Sequence, residues 1–380
     1  MRLTCFIALF TISACHGADD RPGSTVLPRW QLGPEQLGIG SMNGPESEQF
    51  FRVAGVVRRQ DGGLVVADGG SGELRFFARD GTHLSSVGRI GEGPGEFRAL
   101  DGLWAGPGDS LFAWDRELAR LSVFDARGQF GRLVSLEAQP DLGSGRVEGV
   151  FADGSLLVAS GSGRFTAENA GRVVSGRTAL SRFDADGQFE QIIDTVAGPA
   201  WYGFGDGDQL SFWSVPFTHG GSWAVAGSRA AFGDGGTATL RVIPDNDGPS
   251  MTIRWPEPDH AVTASLRDRY GTWLLGLSTS AAEQRQIRQF LAEVPMPASY
   301  PVYDAVVASP SGGWWVRRFP LPADTICSWL AFGRDGTPRA RVAIPCDLRV
   351  AVADDHDVIG ITGGDEAVER VVVLGVDAGS

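Results

Sequence analysis

The sequence predicts an all-β chain folded as a six-bladed β-propeller, with four-stranded antiparallel blades and one helical insertion. A strand–turn–strand unit recurs at a spacing of about 45 residues, which is typical of solenoids and propellers. The chain of 380 residues contains 53 glycines and 21 prolines, a composition that favours a turn-dense β protein. Six units need roughly 250–300 residues, so we expect one propeller domain over residues 25–380.

The repeat is clearest in its first two copies. Val65–Asp68 is followed by Leu74–Gly81, and Leu111–Asp115 is followed by Arg120–Gly128. Each copy is an apolar strand ending in Asp, a turn, a second strand carrying Arg and Phe, and a reverse turn with Gly, as in an antiparallel meander. Weaker copies begin near residues 153, 230, 311 and 357. Packing such sheets around an axis buries both of their faces.

The two ends of the chain are expected to meet in the last blade. Val26–Gly33 reads as a strand outside the first full unit, and the sixth unit, Asp355–Asp377, has room for only two or three strands. Adding the N-terminal strand to the last unit would complete that blade and close the ring.

One segment, about 260–294, breaks the β pattern. Thr263–Val294 is predicted to be helical, with a capping-box signature at Ser280–Glu283. Apolar residues then follow at helical spacing, and Pro295 ends the helix. We interpret the segment as an insertion between blades that either covers apolar surface or forms a lid over a ligand site.

The N-terminus predicts export and a lipid anchor. Arg2 precedes an apolar run, Leu3–Ile12, which is too short to span a bilayer and is typical of a signal peptide. Ile12–Cys15 resembles a bacterial lipobox, so residues 1–14 are expected to be removed and Cys15 to be lipidated, with residues 15–24 as a tether. The alternative is ordinary cleavage near Ala14 or Ala18, which would release a soluble protein.

Cys327 and Cys346 are the cysteines that remain in the predicted domain. They flank a hairpin and come nearly opposite each other if its strands pair in simple register. In an oxidising compartment a disulfide is expected, and two buried thiols are the alternative.

The charge of the chain argues against nucleic acid as a partner. The formal net charge is −13, whereas phosphate binding needs concentrated positive charge. The basic residues are all Arg, which excludes a Schiff-base or P-loop lysine. The glycine-rich segment Gly91–Gly95 precedes a strand and not a helix, so it favours a crossing between blades over a phosphate loop.

Two segments resemble a known family. Asp115–Gly128, with its Arg-Leu-Ser-Val-Phe-Asp core, resembles the NHL repeat, and Gly88–Phe97 is similar to the linker between blades of bacterial six-bladed propeller lipoproteins. The resemblance spans residues 25–377 and weakens after the second blade. It implies six blades around a central channel and implies no reaction, since the fold carries both binding proteins and enzymes.

The sequence assigns no catalytic residue, no metal ligand and no cofactor. Asp68 and Asp115 recur with the repeat, which favours a turn-stabilising role, with Arg75 and Arg120 pairing within or between blades. Asp354–Asp357 reads as a polar turn. Under the alternative of a metal-dependent hydrolase of the lactonase or esterase kind, this turn would contribute ligands for calcium or another divalent metal.

Aromatic residues give the candidate binding surface. Trp201, Tyr202 and Trp213 fall in a predicted long loop, where exposed rings would stack on a sugar or a protein, and core packing is the alternative. The sequence thus predicts a monomeric binding or scaffold module for a protein or glycan, lipid-anchored in the bacterial cell envelope and facing the periplasm or the outer surface.

Overall fold

The structure is a computed structural model that describes residues 27–161, 166–205, 210–244, 249–363 and 368–378. The predicted signal peptide, Cys15 and the tether lie outside the described residues. Within those ranges, the helices are too short or too polar to cross a membrane.

The chain begins with strand β1 (Arg29–Ile39) and then forms two consecutive four-stranded meanders. Sheet I consists of β2 (Val53–Arg58), β3 (Leu64–Asp68), β4 (Glu73–Phe77) and β5 (His83–Gly88). Sheet II consists of β6 (Leu100–Ala105), β7 (Leu111–Asp115), β8 (Arg120–Phe124) and β9 (Phe130–Ser135). In both sheets the neighbouring strands are antiparallel.

The next two sheets follow the same order. Sheet III has five strands, β10 (Gly145–Val150), β11 (Leu156–Gly161), β12 (Val173–Phe183), β13 (Phe189–Phe204) and β14 (Ser211–Ser214). Sheet IV consists of β15 (Ser222–Ala226), β16 (Arg229–Gly233), β17 (Thr239–Pro244) and β18 (Met251–Arg254). Short 3₁₀ helices occur at Glu46–Glu48, Pro107–Asp109 and Ala167–Asn169.

The remaining strands form one eight-stranded sheet. They are β19 (Tyr303–Ala308), β20 (Trp314–Arg318), β21 (Ile326–Phe332), β22 (Pro338–Pro345), β23 (Arg349–Ala353), β24 (Asp357–Thr362) and β25 (Arg370–Asp377), joined by β1 in the order β19-β20-β21-β22-β1-β25-β24-β23. We refer to β19–β22 as sheet V and to β23, β24, β25 and β1 as sheet VI.

Strand β1 links the two ends of the chain. It pairs antiparallel with β25, for example Leu32 opposite Val376, and its first residues pair parallel with β22, with Arg29 opposite Arg341. The expected closure by the N-terminal strand is confirmed by this pairing. The strand continues to Ile39, beyond the predicted end at Gly33.

The first strands of these sheets surround a central channel. Strands β2, β6, β10, β15, β19 and β23 contact one another in succession, and β23 returns to β2. Between each pair of neighbouring sheets lies a cluster of buried apolar side chains, such as Phe76, Leu103 and Phe124 between sheets I and II. Each sheet therefore buries both faces against its neighbours, which is the packing of a β-propeller.

The helical insertion is confirmed as two helices, α1 (Ala264–Gly276) and α2 (Ala281–Glu293). The Thr263 hydroxyl accepts the Leu266 N–H at 3.2 Å, and the Ser280 hydroxyl accepts the Glu283 N–H at 3.4 Å. The predicted capping box is half formed, because the Glu283 carboxylate accepts a hydrogen bond from the Ser278 hydroxyl. The Ser280 N–H donates to that same hydroxyl, so Ser278 connects the two capping residues.

The disulfide expected from the sequence is present. Cys327 in β21 is bonded to Cys346, which follows β22, with their Cα atoms 4.9 Å apart. The bridge joins the two ends of the β21–β22 hairpin.

Candidate functional site

The aromatic residues chosen from the sequence do not lie in a loop, and that part of the prediction is wrong. Trp201 and Tyr202 belong to β13, Trp213 belongs to β14, and Tyr202 pairs with Trp213 across the hairpin. Strands β12 and β13 continue beyond the end of β11, and this extension of sheet III consists of their far ends together with β14. Gly198, Pro199 and Gly203 fall within this stretch, and because such residues are typical of turns the sequence predicted a loop.

Helix α2 packs on this extension. The ring of Phe290 lies 5.0 Å from that of Trp213 and 5.3 Å from that of Phe204. Tyr202 is buried in the same cluster. Since the rings fill the space beneath α2, Tyr202 and Trp213 have a packing role. Ligand binding by Trp201, Tyr202 and Trp213 stays a prediction.

The repeated Asp residues hold turns, as expected. The Asp68 carboxylate accepts the Phe51 N–H at 2.8 Å, and the Asp115 carboxylate accepts the Arg98 N–H at 2.6 Å. Each carboxylate therefore fixes the backbone that leads into the first strand of its own sheet.

The two repeated Arg residues bind the linkers that precede their sheets. Arg75 pairs with Asp68 and donates to the carbonyls of Glu46 and Gln49. Arg120 has a different set of partners, the carbonyls of Glu92 and Gly93 in the glycine-rich linker. Both residues are architectural, and the linker functions as a crossing between sheets.

Asp354–Asp357 forms the polar turn between β23 and β24. The Asp354 carboxylate accepts the N–H groups of His356 and Asp357, at 2.8 and 3.0 Å. The described part of the chain contains no group of three or more His, Cys, Asp or Glu residues arranged to hold a metal ion.

The candidate site is the channel itself. It encloses a cavity of about 700 Å³, lined by the first strands of all the sheets. Its wall is mostly Gly, Ala and Val, with two indole rings (Trp104 and Trp223), one carboxylate (Glu148) and two guanidinium groups (Arg58 and Arg349). A cavity of this size is within the range of small-ligand pockets, which are mostly apolar with a few polar groups.

Bulges interrupt the first strands, and the bulged residue lines the cavity in sheets I, III and VI. The first strands of sheets II, III and V each shift register once, at Asp101, Glu148 and Asp304 respectively. The corresponding shifts in sheets I and VI fall at Ala54 and Ala351. A bulge leaves one residue unpaired and redirects its side chain, and in three of these five strands that residue is acidic.

Glu148 lies in an unusual environment. Burial raises the pKa of its carboxyl, opposed by the nearby Arg146 guanidinium and by a hydrogen bond from the Trp223 side chain, while the Asp101 carboxylate adds to the rise. Arg146 Nε is 3.5 Å from Glu148 Oε1, and Arg146 Nη2 is 3.5 Å from Asp101 Oδ2. One guanidinium therefore lies between two carboxylates.

A second polar cluster lies at the end of the channel where the first strands begin. Arg317 binds both oxygens of Asp304, at 2.8 and 2.9 Å. His219 lies close to this pair, with its Nε2 3.2 Å from the Ser222 hydroxyl. Burial lowers the pKa of His219, partly offset by the Asp304 carboxylate, so the imidazole favours its neutral form.

Sequence reasoning missed Glu148 and Asp101. A usable signal existed, because the first strand of sheet I is Val-Ala-Gly-Val-Val-Arg, whereas that of sheet III places a Glu inside Gly-Arg-Val-Glu-Gly-Val. Aligning these strands would have shown a single acid within an apolar wall. Its proximity to Trp223, in the first strand of the next sheet along the chain, depends on how the two sheets pack.

Comparisons with known proteins show the fold and no family. No family model matches the sequence, and no curated protein matches it in sequence. A DUF4221 family member from Bacteroides vulgatus aligns over 92% of this chain and 98% of that chain, with 10% identity and a TM-score of 0.50. A predicted exported protein from Bacteroides fragilis aligns over 92% of this chain and 96% of that chain, with 12% identity and a TM-score of 0.51.

A gluconolactonase from Xanthomonas campestris covers 90% of this chain and 99% of that chain, at 12% identity and a TM-score of 0.42. At such low identity, an alignment indicates nothing about activity. The ring of sheets and the two Bacteroides structures show that the chain is a β-propeller that shares its fold with solved bacterial proteins.

Proposed function

We propose that this protein is a binding module of the bacterial cell envelope, tethered through Cys15, which takes a ligand into its central channel. Sheets I to VI would be six blades of four strands each, with β14 as an added fifth strand in the third. The repeat in sheets I and II supports an NHL-like propeller. The exported relative in fold from Bacteroides fragilis agrees with the signal-peptide pattern.

The observation that carries the proposal is the lined cavity. A ring of first strands encloses about 700 Å³ with a mostly apolar wall, two indoles, one carboxylate and two guanidinium groups. Tryptophan rings offer flat faces to sugar rings and apolar groups, and the carboxylate accepts hydrogen bonds from hydroxyl or amine donors. A glycan or a peptide end fits this chemistry.

The path of β1 supports an orientation for the channel. Strand β1 runs antiparallel to β25, and β25, β24 and β23 alternate in direction, so β1 begins at the end of the channel where β23 finishes. The tether would leave from that end. The cavity lining includes residues that end or follow the first strands, such as Ala105, Gly227 and Ser309, so the ligand site would lie towards the tether end of the channel.

The tether is tested by fractionation. Cys15→Ser should move the protein from membranes to the soluble fraction, because one Cys would carry the acyl chains and their buried CH₂ groups provide the anchoring. A variant that stays membrane-bound would contradict the lipobox interpretation.

The channel is tested by a filling substitution. Ala105 lines the cavity and is exposed, so Ala105→Trp should occupy the channel without disturbing the core, and Ala105→Ser is the matched control. We would measure binding of chitotriose, cellotriose and the dipeptide Ala-Ala by calorimetry. We expect at least one to bind the wild type and the Ser variant, and to bind the Trp variant about tenfold or more weakly.

Two results would overturn the channel as the site. Equal affinity in the Trp variant would place the site elsewhere, and failure of all three ligands to bind would remove support for this ligand class. Hydrolysis of an ester or lactone by purified protein, dependent on a divalent metal, would favour the hydrolase alternative.

A further inference from the structure

The charged residues that line the cavity differ in how well they are neutralised. Among the described residues of the lining, the charged ones are Arg58, Arg349 and Glu148. Arg58 is 2.9 Å from the Asp357 carboxylate. Arg349 donates to the Val53 carbonyl at 2.6 Å and lies 3.4 Å from Glu369. Both cations at the cavity wall thus have partners, and Glu148 is the charge that is least matched.

The nearest cation to Glu148 is shared. Arg146 is 3.5 Å from both Glu148 and Asp101, which is longer than the 2.7–2.9 Å typical of a charge-assisted hydrogen bond. Arg116 lies 3.8 Å from Asp101, but its side chain is 64% exposed, so solvent screens its contribution. The Glu148 carboxylate is therefore short of positive charge in a partly desolvated place.

Glu148 also keeps free capacity as a hydrogen-bond acceptor. An ionised carboxylate has about four acceptor positions, and the Trp223 side chain supplies one hydrogen bond. A ligand in the cavity that carries N–H donors would occupy further positions. An anionic group placed beside Glu148 would add a second negative charge there, and a neutral hydroxyl would donate without supplying positive charge.

The walls beside Glu148 suit an organic cation. Trp223 and Trp104 line the same cavity on the two sheets that flank sheet III, and indole faces attract cations through the ring quadrupole. The remaining wall is mostly Gly, Ala and Val, and both of its arginines already have partners, so it favours an apolar body.

We propose that the channel selects a small organic cation, an ammonium group on an apolar body, with Glu148 as its counter-ion. This inference rests on the proposed function, in which the channel is the ligand site, and it names the ligand class. The ammonium supplies the positive charge that Arg146 divides between two carboxylates, and the apolar body lies against the indoles.

The test compares two molecules of the same shape. We would measure binding of 2-phenylethylamine and 2-phenylethanol to the full mature protein at pH 7.5, using quenching of tryptophan fluorescence and calorimetry. A hydrogen bond to a charged group contributes enough for about a tenfold preference or more, so the amine should bind at least that much more tightly than the alcohol.

Glu148→Gln keeps the shape and an acceptor for Trp223 while removing the charge. It should bring the affinity for the amine to within about threefold of that for the alcohol. Glu117→Gln is the control, since Glu117 is exposed and pairs with Arg98, and it should leave the preference intact. If Glu148→Gln does not fold, amine binding to the wild type between pH 4 and 7.5 gives the same information.

In that pH series the amine affinity should fall as pH decreases, while the alcohol affinity stays constant. The charged and polar groups facing Glu148 are Arg146 on its own strand, Asp101 on sheet II and Trp223 on sheet IV. Asp101 is the other carboxylic acid among them, so Asp101→Asn should retain the pH effect if Glu148 is its source. Equal binding of amine and alcohol, or an amine preference that survives Glu148→Gln, would overturn the inference. If a glycan binds wild type but not Ala105→Trp while the amine shows no preference, the channel function stands and the cation inference fails.

Discussion

The guanidinium of Arg75 lies 3.0 Å from the carboxylate of Asp68, and their side chains are only 3% and 1% exposed. This buried pair joins the linker before sheet I to the turn between β3 and β4. The pair recurs in sequence in sheet II, but Asp115 and Arg120 there bind backbone groups instead. The same sequence motif thus forms a buried ion pair in sheet I, whereas in sheet II its Asp and Arg bind separate backbone groups.

Removing one partner of this buried pair should be costly. Arg75→Ala leaves the Asp68 charge buried without its cation, so we expect a loss of about 3–5 kcal/mol in the free energy of unfolding. Arg132→Ala is the control, because its pair with Asp186 is exposed and should contribute less than about 1 kcal/mol. Urea denaturation measures both, and equal losses would contradict a special role for the buried pair.

The disulfide should stabilise the β21–β22 hairpin. Replacing both Cys327 and Cys346 by Ala should lower the free energy of unfolding by about 2–3 kcal/mol, since the bridge closes a short loop in the unfolded chain. Non-reducing mass spectrometry of protein exported to the periplasm should find the two cysteines linked. Two thiols that react with an alkylating agent in the native protein would show that the bridge does not form.

Loss of β1 should destabilise the whole ring. Deleting residues 1–39 removes the strand that pairs with β22 and β25 together with the buried side chains of Trp30 and Ile39. We expect a single transition at a melting temperature lower by about 10 °C or more, because both sheet edges and the core between sheets V and VI are exposed. Deleting residues 1–24, the predicted signal peptide and tether, should leave the melting temperature unchanged.

Phe290 should hold α2 on the extension of sheet III. Phe290→Ala removes contacts with Trp213, Phe204 and Tyr202, and such truncations of a buried Phe cost about 3–5 kcal/mol. Hydrogen exchange should speed up in α2 and at the end of β13 while sheets I and II stay protected. Trp273→Ala, at an exposed position of α1, should change neither the free energy of unfolding nor the exchange rates. Faster exchange throughout the ring in the Phe290 variant would show that the helices are not a separate unit.

Glu148 should make stability depend on pH. Burial raises the pKa of its carboxyl in the folded protein, so the folded state holds its proton to a higher pH than the unfolded chain. Stability is then lost as pH rises from the unfolded to the folded pKa, and the loss persists at neutral pH.

Glu148→Gln should therefore raise the melting temperature at pH 8, by an amount on the order of 1–2 °C for a chain of this size, and leave it unchanged at pH 4. Calorimetry at both values measures the difference, with Glu117→Gln as the control. A variant that is less stable than the wild type at pH 8 would show that the carboxylate is stabilised by its neighbours and not opposed by burial.

Local patterns determined much of the fold from sequence alone. Short apolar runs ending in Asp, Asp-Gly turns and the repeat predict the strands of sheets I and II. The capping signature at Ser280 and the helical spacing after it mark the helical insertion, and the spacing of Cys327 and Cys346 about one hairpin predicts their bond. These features depend on interactions between residues close in sequence, whose physical chemistry is visible in the sequence itself.

Only the tertiary structure decided which residues meet across sheets. Glu148 and Trp223 are on different sheets, as are Arg146 and Asp101, and nothing in either strand alone indicates the other. The packing of Trp213 under α2 likewise joins segments far apart in the chain, so an apparent aromatic loop became part of the core. The physical reason is that closing the ring and register shifts at bulges fix these distances, and both depend on all the sheets packing together at once.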